Sequence, residues 1–129
     1  MSPTPEIQAA AAAVESYVRR PSADAFEALA REAFAHQYES IEPYRRLCQE
    51  RGVSPENLST WTEVPWVPVT AFRSLALHAG PPLETFRSSG TTAGEARRGV
   101  HHHPYPDLYR ATIDASFPRA VFAGIGRPD

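Results

Sequence analysis

The chain has 129 residues, 42% of them apolar and 22% charged, with a formal charge of −2. That is about one domain's length, and the near-neutral balance offers no global attraction to nucleic acid or to an acidic membrane. One cysteine, Cys48, excludes an internal disulfide framework and a cysteine zinc cluster. With no apolar run near the ~18 residues of a membrane span and no leader pattern, a cytoplasmic protein without an integral membrane segment is expected.

Charge is uneven. Residues 1–60 hold nine of the fifteen acids, whereas residues 86–110 hold four arginines, three histidines and only two acids. All thirteen strong bases are arginine. Any phosphate grip must therefore use guanidinium or backbone rather than ammonium.

Thr4, Pro5 and Glu6 form a helix start: a capping hydroxyl, proline at the first position and an acid in the first turn. Ile7, Ala10, Ala11, Val14, Tyr17 and Val18 recur at helical spacing until Pro21. Ser22 is placed to cap a second helix with Phe26, Leu29, Ala30, Ala33 and Phe34 along its stripe. A third is predicted from near Ser40, with Ile41, Tyr44, Leu47 and Cys48 inward and Gly52 as its stop.

Beyond Val53 the texture changes. Pro55, Pro65 and Pro68 break long elements while Trp61, Val64, Trp66, Val67 and Val69 supply apolar anchors. The pattern predicts a helical turn over 55–58, an extended crossing, a turn over 71–74 capped by Thr70, and a short strand over 75–78. Residues 83–88 alternate in the manner of a strand, and 99–102 is the candidate returning strand. A last helix begins at Pro106 or Asp107, with Leu108, Ala111, Thr112 and Ala115 or Ser116 on one face and Pro118 poorly suited to its interior. The fold class is α/β: N-terminal helices (1–52), a Pro-rich crossing (53–82), then a strand–loop–helix unit (83–120).

That unit carries Phe86-Arg87-Ser88-Ser89-Gly90-Thr91-Thr92-Ala93-Gly94, followed by Arg97 and Arg98. Four hydroxyls can donate to anionic oxygens, and the glycines let backbone N–H groups turn inward to form an anion-holding concavity. A P-loop is excluded, since Gly90 and Gly94 are one position too close and no lysine follows. The dinucleotide G-x-G-x-x-G and hydrolase G-x-S-x-G patterns are absent as well.

The Ser-Ser-Gly-Thr-Thr run resembles the phosphate-binding signature of adenylate-forming enzymes. Its flanks narrow the likeness: Ala33–Tyr38, Pro43–Cys48, the Val64–Arg73 crossing and Asp107-Leu108-Tyr109 resemble the acyl-protein synthetase (LuxE-type) family over about residues 26–120. The likeness covers only the opening part of a longer enzyme of that family. It implies activation of a fatty or other carboxylic acid by ATP with Mg²⁺, transfer of the acyl group to a protein thiol, and an acyl-carrier or reductase protein as candidate partner. Ser88, Ser89, Gly90, Thr91, Thr92 and Gly94 then match the loop that grips the β,γ-phosphates, with Arg97 or Arg98 in place of its lysine. Ala93 stands where that superfamily has glycine. The family's acyl-accepting cysteine lies near the far end of the enzyme, and no residue here corresponds to it. No catalytic residue is assigned, and the 129 residues alone are expected to be inactive. Two alternatives stay open: an aryl-CoA ligase of the phenylacetate type, and a truncated, non-catalytic fragment that binds a nucleotide or a partner.

Other candidates read more plainly. Cys48 lies on a core stripe, and Trp61 and Trp66 read as packing anchors. Along an extended segment His101 and His103 share a face, a metal pair without an evident third ligand, so a solvated or phosphate-neighbouring patch is expected. His36 and Gln37 read as a surface pair, with support of a site from the helix as the alternative.

Overall fold

The computed structural model describes residues 4–89, 98–121 and 123. In these residues the chain forms a small helix-rich mixed fold with four α-helices, two 3-10 turns and one two-stranded antiparallel sheet.

Helix α1 spans Pro5–Arg19, and the Thr4 side chain accepts the Ile7 amide at 3.5 Å as its cap. Helix α2 spans Ala23–Ser40. Ser22 occupies its N-cap position in an extended conformation, but its side chain makes no capping bond, contrary to the sequence expectation. Helix α3 spans Glu42–Glu50 and starts after Ile41 rather than Ser40. It ends in a Schellman arrangement: the Val53 amide donates to the Cys48 carbonyl and the Gly52 amide to that of Gln49. Gly52 takes a positive φ of 68°, where a Cβ is disfavoured.

The core lies between α2, α3 and the crossing. Phe34, Tyr44, Cys48 and Leu58 are buried together, with Tyr38, Ile41, Leu47, Val53, Val64 and Val67 packed around them. A second apolar seam joins α1 to α4, Pro106–Val121, through the buried Ile7, Ala11 and Ala111.

The Pro-rich crossing has few backbone bonds of its own, and arginines supply partners. Arg31 donates to the carbonyls of Leu58 and Ser59 at 2.8 and 3.2 Å, and Arg51 to that of Trp66 at 3.3 Å. Its guanidinium lies 5.6 Å from the Trp66 ring centroid. Residues 55–57 form a turn rather than a helix, closed by bonds from Asn57 and Leu58 to the Ser54 carbonyl. Trp61–Glu63 is a 3-10 turn that the sequence reading missed, although its capping box was legible: Thr60 is N-cap and Glu63 reaches back to the Thr60 amide. The second 3-10 turn, Val69–Arg73, starts after Pro68 and takes Thr70 into its interior, so Thr70 does not cap it.

Residues 75–78 are not a strand. The sheet is β1, Glu84–Arg87, against β2, Val100–His103. Helix α4 continues through Pro118, which sits in the last turn, where it removes a single ladder bond three residues before the helix ends. Its inward face is Ala111 with the half-buried Leu108 and Ala115, whereas Thr112 and Ser116 are exposed and donate to the carbonyls four residues back at 2.8 and 2.7 Å. Tyr109, Ile113, Phe117 and Val121 form an exposed stripe on the other side. No helix among the described residues is long and apolar enough to cross a membrane.

Candidate functional site

The hairpin is the frame that carries the hydroxyl-rich run. Its register pairs Glu84 with His103, Thr85 with His102, Phe86 with His101 and Arg87 with Val100. One step further the Ser88 amide donates to the Gly99 carbonyl at 3.0 Å, and the Gly99 amide donates to Ser88 Oγ at 2.8 Å. These two bonds close the neck from which the loop leaves. A hydroxyl has two lone pairs and one proton, so Ser88 keeps its O–H for a further acceptor while its oxygen holds the neck.

Ser89 is exposed on the loop side of the neck, and Arg98 is half-buried at its other foot. Gly90, Thr91, Thr92, Gly94 and Arg97 lie outside the described residues. Of the predicted phosphate ligands, Ser88, Ser89 and Arg98 are the described ones, and they flank the neck.

The crossing and the hairpin meet here. Phe72, from the Val69–Arg73 turn, stacks on His101 with centroids 4.4 Å apart and rings 28° from parallel. Two stretches that the sequence reading singled out separately thus form one support at the base of the loop. Arg110, counted in the local excess of positive charge, is already paired: it binds Glu84 at 2.6 Å and Asp107 at 2.7 Å. Its hydrogen bond to Asp107, then that to Glu84, holds the guanidinium more firmly protonated than usual. Its work is to pin the start of α4 to β1.

The three consecutive histidines separate. His101 stacks on Phe72, and His103 meets Phe86 and Tyr109 edge-on at 5.0 and 5.7 Å. His102 faces the other way, toward Thr85 and His78. His101 and His103 share a face as alternation requires, but both are engaged with aromatic rings. No group of three or more histidine, cysteine or acidic side chains among the described residues is placed to hold a metal ion.

Sequence reasoning missed a cavity of about 310 Å³ between α1, α2, residues 77–79, the end of β2 and the start of α4. His36 and Gln37 line it, as do His78, His102 and His103. The signal was weak because the lining comes from five separate stretches with no common spacing.

Against models of known families, curated proteins and solved structures, the chain has no match.

Proposed function

We propose that the chain is the N-terminal part of an ATP-dependent acid-activating enzyme, similar to acyl-protein synthetases, and that residues 88–98 grip the pyrophosphate portion of ATP. The observation that carries this reading is the neck. Ser88 and Gly99 clamp the two ends of a Ser/Thr/Gly run with a donor hydroxyl left over, and Phe72 of the crossing braces the same hairpin.

The groups fit a polyphosphate. Ser88 and Ser89 offer hydroxyl donors and Arg98 a guanidinium, the donor types suited to anionic oxygens. Mg²⁺ would arrive on the nucleotide's phosphates, as it commonly does. ATP would supply the leaving pyrophosphate. The chain's own share is to bind and orient that group and to balance its charge, which is positioning and electrostatic stabilisation rather than nucleophilic attack. The acid activated in this reading is a fatty or other carboxylic acid, and the acceptor a protein thiol. The 129 residues do not turn over by themselves.

Binding tests it directly. Pyrophosphate and Mg·ATP should shift the amide resonances of Ser88, Ser89 and Arg98, while AMP, which lacks the terminal phosphates, should not. A Thr91→Val/Thr92→Val double variant should weaken pyrophosphate at least fivefold. Wild-type chain that binds no pyrophosphate, or binds AMP equally well, would overturn the reading.

A further inference from the structure

A surface helix needs one apolar stripe to face its own core, and α4 has two. Its Ala111 side packs on α1, whereas Tyr109, Ile113, Phe117 and Val121 recur every fourth residue on the opposite side and stay exposed. The hairpin extends this second stripe. Phe86 lies 5.9 Å from Tyr109, and His103 meets the two rings edge-on at 5.0 and 5.7 Å. The five apolar side chains are each 42–55% exposed. Single apolar groups on a surface are ordinary, but a contiguous row of them marks a docking face.

Its size suits a pair of chains. A standard interface buries ~800 Å² per partner, a little over half of it apolar, which is roughly 450 Å². At about 200 Å² for a whole aromatic side chain, the three half-exposed rings supply about 300 Å². Ile113 and Val121 bring most of the remainder.

The rims also favour a second copy. On one rim Thr112 and Ser116 already donate to the carbonyls of Leu108 and Thr112, at 2.8 and 2.7 Å, so covering them strips no hydroxyl of its acceptor. On the other rim Arg110 and Asp114 stand one helical turn apart. Arg110 holds Asp107 and Glu84 with its two terminal nitrogens and keeps further N–H donors. Asp114 makes no ion pair among the described residues.

A face that carries both halves of its own complement fits itself across a two-fold axis. We propose that this face joins two copies of the chain around an axis near Ile113, with the α4 helices antiparallel. The axis sets Ile113 beside its own counterpart, Tyr109 against Phe117 of the second copy, and Phe86 toward Val121 of that copy. It also brings each Arg110 to the Asp114 of the other chain, because an antiparallel two-fold keeps the same rim of both helices on one side. The pairing uses α4 and Phe86 alone, so it stands whether or not residues 88–98 bind phosphate.

Sedimentation equilibrium of the full chain over a concentration series tests it, and a monomer–dimer equilibrium in the micromolar range is expected. Ile113→Asp puts two carboxylates together at the axis and should weaken the dimer at least tenfold with helix content unchanged. Asp114→Arg and Arg110→Asp should each weaken it, and an equimolar mixture of those two variants should pair more tightly than either alone, since opposite charges then meet on both sides of the axis. Ile113→Cys should join two chains by a disulfide on mild oxidation, whereas Asp24→Cys, exposed on α2, should not. Cys48 is too buried to compete. A chain that stays monomeric at millimolar concentration, a dimer that Ile113→Asp leaves intact, or cross-linking at 113 no faster than at 24 would each overturn the assignment. So would a monomer whose stripe seats on phosphatidylcholine vesicles instead. The concentration series and the cross-link decide the matter even if Arg110→Asp does not fold.

Discussion

Ser88 and Gly99 face each other across the hairpin with one bond of the regular pair rerouted. The Ser88 amide donates to the Gly99 carbonyl at 3.0 Å, but the Gly99 amide goes to Ser88 Oγ, at 2.8 Å, instead of to a main-chain carbonyl. A ladder would exchange both bonds between backbones. The side chain thereby ends the sheet at the point where the loop begins.

Ser88→Ala should loosen that neck. This part-buried hydrogen bond contributes about 0.5–1.5 kcal/mol, and its loss leaves the amide of the buried Gly99 without this acceptor. The informative readout is local: hydrogen exchange at the Gly99 amide should accelerate while that at Val100–His103 changes little, and pyrophosphate affinity should fall. Ser88→Thr keeps the hydroxyl and should restore slow exchange at Gly99. An unchanged Gly99 amide in Ser88→Ala would rule out the clamp.

Gly52 is the second position where one atom decides the backbone. Its φ of 68° costs an L-residue about 1–2 kcal/mol, and a Cβ there would meet nothing within 4 Å. Gly52→Ala should therefore destabilise the chain by about that amount through strain alone, with no repacking. Gly52→Asn, which tolerates the left-handed region better, should cost less. Equal melting temperatures for Gly52→Ala and wild type would contradict the positive φ.

Tyr44 anchors the crossing to the core. Its hydroxyl donates to the Pro65 carbonyl at 2.8 Å, and Tyr44 is only 6% exposed. Tyr44→Phe keeps the ring, and with it the edge contact to Phe34 at 6.2 Å. It leaves a buried carbonyl without this donor, at a cost of about 1–3 kcal/mol. Chemical denaturation should show that loss with an unchanged slope. A variant as stable as wild type would mean that water reaches Pro65.

The parts of this fold that could be read in advance are those decided within one turn of chain. Thr4 caps α1 three residues on, and Gly52 stops α3 through bonds to Gln49 and Cys48. Reading failed where distant groups decide. Residues 75–78 were read as a strand, but Leu75, Ala76 and Leu77 are not strong strand formers, and the described sheet holds only β1 and β2. Two local signals were misread as well: Ser22 has the right side chain and position but makes no capping bond, and the Thr60–Glu63 capping box was passed over. The site divided in the same way. The Ser/Thr/Gly run was visible as a motif, whereas the clamp at Gly99, the stacking of Phe72 on His101 and the meeting of His78 with His102 join residues 11 to 29 positions apart. No local pattern encodes those distances.

Alkaline pH should expose the core pair of Tyr44 and Cys48. Burial pushes the Cys48 thiol above its ordinary range and pushes the Tyr44 phenol well above its own, with the neighbouring Cys48 adding to the rise. In the unfolded chain these groups ionise near about 8.5 and 10. Below pH 8.5 both states hold both protons, so the contribution to stability is fully present. As pH rises further, the unfolded chain releases the thiol proton while the folded chain retains it, and stability falls; above pH 10 the phenol adds a second decline. The absence of lysine removes the titration that usually obscures this range. Melting temperature measured from pH 7.5 to 10.5 should therefore drop in wild type. It should drop less between pH 8.5 and 10 in Cys48→Ala, and less above pH 10 in Tyr44→Phe. The native thiol should also react slowly with a disulfide reagent, since Cys48 is 0% exposed. A wild-type profile that is flat to pH 10.5, or prompt thiol reaction without unfolding, would show that the pair is open to water.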